Sequence, residues 1–334
     1  MAIKIGINGL GRIGRMIIRS LIENNNNKIE IKHINSRSSA EVISSLLKFD
    51  SIHGRFNCKI EHGDDYFSIN GKKITFSRNS NLNEIKWKNF GVDYVLECTG
   101  KFNSKDKLIP HIKNGAKKVI VSAPCKDADK TIVYGVNHKS INKNDSVISA
   151  ASCTTNCLAP VVYVLNKEFK IEKGFMTTIH SYTSDQRLID NSHKDLRRAR
   201  SAAQSMVPTS TGASKSIGQI IPELKGKLEG LAIRVPTPNV SLVDLVFNSK
   251  KKLTIKKINE SFLKASKKEL KNILEVNEEK LVSIDFNHNP NSAIVDLSLT
   301  STVGSNMGKV SAWYDNEWGF ASRMCDLAEY IHKI

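Results

Sequence analysis

Ile3-Lys4-Ile5-Gly6-Ile7-Asn8-Gly9-Leu10-Gly11-Arg12-Ile13-Gly14-Arg15-Met16-Ile17 decides the fold of the first half of the chain. Isoleucines 3, 5 and 7 alternate with the period of a strand, and Ile13, Met16, Ile17, Leu21 and Ile22 recur at helical spacing after a glycine-rich turn. Gly9-x-Gly11-x-x-Gly14 therefore ends one element and opens the next. Glycines there permit a sharp turn and close approach of a ligand, while the helix start offers N–H groups and a positive dipole end to a pyrophosphate. The Asn24–Asn27 run closes the helix, and Ile29, Ile31 and Ile34 supply a second strand, completing a βαβ unit.

An acidic residue normally ends that second strand and binds the adenosine ribose hydroxyls. Here the place reads Asn35-Ser36-Arg37, with no carboxylate before Glu41. Repulsion of a 2′-phosphate is missing and Arg37 is placed to attract one, so the expected cofactor is NAD or NADP, with NADP use predicted. Further along, Ser38 and Glu41 have the spacing of a capping box, and Asn70-Gly71 between two alternating runs predicts a hairpin. Apolar runs at 92–96, 119–121, 132–134 and 147–150 predict further strands of an open, largely parallel α/β sheet. After residue 150 the runs lengthen (231–235, 240–247, 293–299, 310–313) without a crossover helix between each pair. That pattern predicts a mostly antiparallel sheet with helices on one side. Residues 317–334 carry Phe320, Met324, Leu327, Ala328 and Ile331 on one helical face, which predicts a docking helix.

The chain has 334 residues, enough for two domains, with 50 Lys plus Arg against 33 Asp plus Glu for a formal charge of +17. Apolar and charged fractions of 40% and 25% exclude a disordered or fibrous chain. No apolar run approaches the roughly 20 residues that span a bilayer, and no leader pattern precedes the first strand, so a cytoplasmic protein without a membrane partner is expected. The six cysteines lack the dense spacing of a secreted framework, which fits a reducing compartment. The lysines are spread along the chain beside frequent Asn and Ile, residues that share A/T-rich codons, so the charge implies no nucleic-acid partner.

Ser152-Cys153-Thr154-Thr155-Asn156-Cys157 precedes an apolar helical pattern. A cysteine at a helix start has its thiolate stabilised by the dipole and is a candidate nucleophile, although two buried structural thiols would give the same string. Cys153 and Cys157 lie one turn apart, but no second Cys or His pair stands at zinc spacing, so no metal is expected. His180, in a β-rich segment after the Cys153 helix, is placed to return beside the helix start as a base; a structural histidine is the alternative. Arg197, Arg198, Arg200 and Arg234, with Thr209 to Gly212, suit anionic oxygens, although an arginine run on a loop is also simply solvated.

Seven strings carry a resemblance that spans essentially the whole chain: INGLGRIGR (7–15), SCTTNC (152–157), HSYT (180–183), HKDLRRAR (193–200), PTSTGA (208–213), RVPTPNVSLVDL (234–245) and WYDNEWG (313–319). In this order and at these intervals they resemble the phosphorylating glyceraldehyde-3-phosphate dehydrogenases. The resemblance implies a Rossmann dinucleotide-binding domain, residues 1–151, completed by the helix 317–334, a catalytic α+β domain, residues 152–316, and a homotetramer. It implies that Cys153 attacks the aldehyde, that His180 is the base, and that inorganic phosphate releases the acyl group as 1,3-bisphosphoglycerate. Thr183 and Arg234 then match positions for the substrate's C3 phosphate. Ser152, Thr154, Thr211, Gly212 and Arg197 match positions around the nucleophile and the attacking phosphate. Gly9, Gly11, Arg12, Ile13, Ser36, Arg37, Ser122 and Asn316 stand at cofactor positions. Two departures, Asn35-Ser36 for an Asn-Asp pair and Asn191-Ser192 for a Leu-Pro pair, resemble the biosynthetic, NADP-using branch rather than a purely glycolytic one. The alternatives are an erythrose-4-phosphate dehydrogenase, which shares the thiol and histidine, and a nucleic-acid-binding side role on the basic surface.

Overall fold

A computed structural model describes residues 2–334; Met1, where the first expected domain begins, lies outside the described residues. The chain divides into two compact units. One takes in the chain up to Tyr134, His138–Ser152 and Ala321–Ile334, and the other takes in Gly135–Asn137 and Cys153–Phe320.

The first unit runs β1 (Ile3–Asn8), α1 (Arg12–Glu23), β2 (Ile29–Asn35), α2 (Ala40–Lys48), a short ribbon of β3 (Phe49–Asp50) and β4 (Gly54–Arg55), β5 (Ile60–His62), β6 (Tyr66–Ile69), β7 (Lys72–Ser77), β8 (Tyr94–Glu97), α3 (Lys105–Lys113), β9 (Lys118–Val121), β10 (Lys130–Thr131) and β11 (Val147–Ser149). Nine of these strands form one sheet in the order β10-β11-β9-β8-β1-β2-β7-β6-β5. It is parallel from β10 to β7, and β7, β6 and β5 are antiparallel. The hairpin turns at Asn70 and Gly71, both at positive φ (49° and 80°), as the two-residue turn requires. Two expectations shift. The strand near residue 132 is Lys130–Thr131, while Ile132 and Val133 are buried outside it. The cap of α2 is Ser39, whose side chain accepts from the Val42 N–H, so Glu41 falls one place short of closing a capping box with it.

The second unit runs α4 (Cys153–Phe169), β12 (Ile171–Ser181), β13 (Val207–Ser210), α5 (Ala213–Ile220), β14 (Leu228–Val235), β15 (Ser241–Ser249), α6 (Ile255–Lys267), β16 (Leu274–Asn277), β17 (Ala293–Val303) and β18 (Met307–Tyr314). Its sheet order is β13-β14-β12-β15-β18-β17-β16, with only β12–β14 and β16–β17 parallel. Helix α4 lies on strands β12, β15, β17 and β18 with α5 and α6 beside it. Side chains alternating away from the buried positions leave Phe175 and its register partner Val246, with Leu299 and Val303, exposed. A last helix, α7 (Trp318–Lys333), starts in the second unit and from Ala321 belongs to the first, where Met324, Leu327, Ala328 and Ile331 are buried.

The first unit contains an acid-sensitive core position. His33 of β2 is fully buried, stacked on Phe90 at 3.6 Å and bonded to Thr75 Oγ1 and Ser77 Oγ at 2.8 Å each. Burial pushes its pKa down to about 4. The unfolded chain therefore takes up this proton near pH 6.5, before the folded one does, so the stabilisation is present above that pH and is lost as pH falls towards 4. About 3 kcal/mol is at stake. Urea unfolding of wild type and His33→Asn at pH 7 and pH 4.5 is expected to show a markedly weaker pH dependence in the variant; parallel losses in both would refute the assignment to His33.

Candidate active site

The turn between β1 and α1 is held tightly enough that two of its glycines are sterically required. Gly9 sits at φ 95°, and a Cβ there would fall 2.8 Å from the Thr99 backbone nitrogen; one on Gly14 would fall 2.2 Å from the Gly9 carbonyl oxygen. Helix α1 begins after Gly11 with no side-chain cap and no acidic residue in its first turn. Beside it lies a recess of about 410 Å³ whose lining includes Gly9, Gly11, Ser36, Arg37, Asn79 and Thr99. A recess lined by Gly9 and Gly11 at a helix start with no acidic residue suits a pyrophosphate flanked by a nucleoside. Arg12 and Ile13 do not line this recess. The Arg12 guanidinium is instead forked onto the Asp50 carboxylate and holds that carboxyl well below the usual range. Ser122 is also outside the lining; its backbone N–H bonds the Glu97 carbonyl.

In the second unit the nucleophile and base candidates meet. Cys153 opens α4 and His180 is the penultimate residue of β12; the chain leaves the helix and returns along the strand, bringing Cys153 Sγ to 3.5 Å from His180 Nε2. On the parallel neighbour β14, Arg234 is the register partner of His180, and its Nη1 lies 2.7 Å from His180 Nδ1 and 3.0 Å from the Ser181 carbonyl oxygen. Burial, and secondarily the Arg234 charge, lower the His180 pKa to about 3, so the imidazole is neutral. Burial also pushes the Cys153 thiol up, against the opposing Arg234 charge and Thr154 hydrogen bonds. The helix start alone therefore does not ionise the sulfur. Cys157 is fully buried and its thiol is pushed well up by burial, so the two cysteines are not equivalent. No group of three or more His, Cys, Asp or Glu suited to a metal ion occurs among the described residues.

Residues 3–105 match the family model described as glyceraldehyde 3-phosphate dehydrogenase, NAD binding domain, and residues 152–316 match its C-terminal domain. The chain belongs to the glyceraldehyde-3-phosphate dehydrogenase family. Among curated relatives, glyceraldehyde-3-phosphate dehydrogenase of Cereibacter sphaeroides is 50% identical over 334 residues, the full length of both chains. Glyceraldehyde-3-phosphate dehydrogenase 2 of Bacillus subtilis is 49% identical over 332 residues, 99% of this chain and 97% of the relative. A plasmid-encoded glyceraldehyde-3-phosphate dehydrogenase of Cupriavidus necator is 51% identical over 330 residues, 98% of each chain. These matches favour neither the erythrose-4-phosphate nor the nucleic-acid alternative. No described helix is long and apolar enough to cross a membrane.

The remaining positions taken from the glyceraldehyde-3-phosphate dehydrogenase motifs divide in two. Asn316 is fixed: Ser241 Oγ accepts from the Ser181 N–H at 3.1 Å, so its own O–H donates to Asn316 Oδ1 at 2.9 Å, as does Ser181 Oγ at 2.9 Å. The carboxamide thus turns its NH₂ away from both serines. Thr154 hydrogen-bonds Cys153 and also places its hydroxyl 2.9 Å from the buried Tyr314 OH, which meets Thr178 Oγ1 at 2.8 Å. Thr183 is held by Gln186 Oε1 through its N–H (2.8 Å) and hydroxyl (3.2 Å), Thr211 Oγ1 accepts from the Ala213 N–H, and Gly212 precedes α5. None of Thr183, Arg197, Thr211 or Gly212 bonds Cys153, His180 or Arg234 among the described residues. Ser152 ends the last first-unit segment before α4. Of the loop arginines, Arg198 is tied to Asp185 and Thr209 and Arg200 to Asp190, while Arg197 carries no ion pair among the described residues.

One residue beside the recess escaped the sequence reading. Arg78, just past β7, donates through Nε and Nη2 to the Arg37 carbonyl oxygen at 3.2 and 3.1 Å, adding a second guanidinium beside the Ser36–Arg37 turn. No motif marks it; only the β2–β7 pairing brings it there.

Proposed function

We propose that the chain catalyses the reversible oxidative phosphorylation of D-glyceraldehyde 3-phosphate to 1,3-bisphosphoglycerate through a thioester on Cys153. The observation that carries this reading is the 3.5 Å approach of Cys153 Sγ to His180 Nε2 at the start of a helix, with Arg234 alongside. Cys153 Sγ adds to the aldehyde carbon, and His180 Nε2 takes the hydroxyl proton of the resulting hemithioacetal. The bound nicotinamide dinucleotide supplies the hydride acceptor. Arg234 and Thr183 hold the C3 phosphate. Arg197, Ser152, Thr211 and Gly212 receive inorganic phosphate, whose oxygen displaces the Cys153 thiolate. Thr154 supports the Cys153 sulfur directly, with its hydroxyl steadied by Tyr314. Asn316 offers its NH₂ to the carboxamide oxygen of the nicotinamide, and Gly9, Gly11 and the backbone of Arg12 and Ile13 take the pyrophosphate. The test is acyl-enzyme trapping: glyceraldehyde 3-phosphate and cofactor without phosphate are expected to add one acyl group, mapped to Cys153 by mass spectrometry. An acyl group on any other residue would overturn it.

NADP use is the finer part of this reading. Ser36 can donate to a 2′-phosphate where an aspartate would repel it, and Arg37 has no ion-pair partner among the described residues. Arg78 beside it adds charge, and a charge-assisted contact contributes about 1.5–3 kcal/mol, roughly tenfold or more in affinity. NADP is expected to serve at least as well as NAD by kcat/KM, and Ser36→Asp to lose NADP use at least tenfold. A tenfold wild-type preference for NAD, or NADP use unchanged in the variant, would end the idea.

Self-association fits the surface. Leu188, Ile189, Leu196 and Met206 are each about three-quarters exposed or more along one loop segment, and Phe175, Val246 and Val303 are exposed on the sheet. These exposed apolar side chains support the reading of a homotetramer. A cytoplasmic location belongs to the same reading.

A further inference from the structure

Gln186 is buried, at 6% exposure, in the turn after β12, and it closes on Thr183 through backbone and side chain together. Its N–H donates to the Thr183 carbonyl oxygen at 3.0 Å, and its Oε1 accepts from the Thr183 N–H at 2.8 Å and the Thr183 hydroxyl at 3.2 Å. The Thr183 N–H can only donate, so the amide oxygen has to face it and the NH₂ is left on the other arm of the carboxamide. Among the described residues that Nε2 is buried and has no hydrogen-bond partner. A brace for Thr183 needs only the oxygen. A buried NH₂ without an acceptor costs stability, and it marks a place to which an acceptor comes. The Arg234 Nε is likewise buried without a partner, and Asp185, the residue before Gln186, lies close enough to Arg234 to act on its charge. The Asp185 carboxylate itself is turned to Arg198 and His193, so it does not serve either leftover donor.

We propose that Gln186 is a third holder of the substrate's C3 phosphoryl group, beside Arg234 and Thr183: its amide oxygen fixes Thr183, and its NH₂ donates to a phosphoryl oxygen. This rests on the reading of Arg234 and Thr183 as the C3-phosphate residues. A phosphoryl dianion only accepts hydrogen bonds, whereas the Thr183 hydroxyl proton is spent on Gln186 Oε1. To serve the dianion that proton turns away from Oε1. The hydroxyl contact, at 3.2 Å, is the longer of the two, so Thr183 stays anchored through its N–H at 2.8 Å. An anion that takes the hydroxyl proton comes up beside the carboxamide, where Oε1 repels it and Nε2–H attracts it. The NH₂ thus offsets the cost of bringing a dianion next to an amide oxygen. No covalent bond changes and no proton changes owner. A donor placed on a charged acceptor raises affinity roughly tenfold or more, and an aldehyde without the phosphoryl group gains none of it.

The experiment compares Gln186→Glu and Gln186→Met with wild type in the whole enzyme, at about pH 8.5 and about 0.5 M KCl, which keep the new carboxyl ionised and screen its charge at a distance. Glutamate keeps an oxygen for the Thr183 N–H and loses the NH₂; methionine offers neither. The readout is the ratio of kcat/KM for glyceraldehyde 3-phosphate to that for unphosphorylated glyceraldehyde, with the competitive inhibition constant of glycerol 3-phosphate as a probe of binding alone. Both variants are expected to lower the ratio roughly tenfold or more through the KM of the phosphorylated aldehyde, to weaken glycerol 3-phosphate by a similar factor, and to leave glyceraldehyde within about threefold of wild type. A wild-type ratio in Gln186→Glu, or equal losses for both aldehydes in the two variants, reduces Gln186 to a brace and overturns the proposal. Should Gln186→Met fail to fold, Gln186→Glu decides alone, with calorimetric binding of the dinucleotide certifying its fold. Arg234→Ala tests the underlying reading: an unchanged ratio there removes Arg234 from the phosphate site and the proposal with it, whereas a lowered ratio there beside a wild-type ratio in Gln186→Glu sinks only the inference about Gln186.

Discussion

Replacing Cys153 by alanine is expected to abolish oxidation of glyceraldehyde 3-phosphate, a loss on the order of 10⁴–10⁶-fold, as when a covalent nucleophile is removed elsewhere. Without the sulfur no hemithioacetal forms, and the aldehyde has no tetrahedral carbon from which hydride leaves easily. Cys153 opens α4 and has a histidine base at 3.5 Å, a contact that the buried Cys98, Cys157 and Cys325 do not make among the described residues. Single-turnover absorbance of reduced cofactor, with calorimetric titration of the dinucleotide, separates chemistry from binding. The alanine variant is expected to bind the dinucleotide as wild type does and to give no burst. A residual burst above a hundredth of the wild-type amplitude would remove Cys153 from the reaction.

His180→Asn is expected to slow hydride transfer by roughly 10²–10⁴-fold, the usual contribution of a positioned base. Asparagine retains a polar side chain but offers no basic nitrogen at the Nε2 position. Because the wild-type imidazole stays neutral down to about pH 3, the deficit is expected at every neutral and mildly acid pH rather than in one titration window. The pH dependence of the single-turnover rate checks both size and shape. A variant that matches wild type above neutral pH, where hydroxide competes as base, and falls behind only in acid would assign the proton transfer to solvent.

How far the sequence reached depends on the range of the interaction that sets each feature. The Gly9-to-Gly14 turn was legible because its requirements are local: a positive φ at Gly9 and a Cβ clash at Gly14 are written within six residues and their immediate neighbours. The approach of Cys153 to His180 was legible because a helix followed directly by a strand returns the chain to where it began. The Arg234 contact was not legible, since 54 residues separate it from His180 and only the parallel register of β12 and β14 pairs them. Arg12 shows the opposite limit. Its position in the motif suggested a ligand contact, but Asp50, reached through α2, claims its side chain. The one-residue shift from Ser38 to Ser39 as the cap of α2 reflects two adjacent serines of equal capping ability, between which only the backbone path decides.

The passage of α7 from the second unit into the first imposes an order on biosynthesis. Everything the second unit needs lies between Gly135 and Phe320, but the first unit buries Met324, Leu327, Ala328 and Ile331. On the ribosome the first unit, although made earliest, stays unfinished until translation has passed Ile331, and the catalytic half is ready to fold before the half that precedes it. Throughout elongation the first unit therefore lacks the helix whose Met324, Leu327, Ala328 and Ile331 it buries, and a nonsense mutation in the final turns of the message is expected to destabilise the dinucleotide-binding half first.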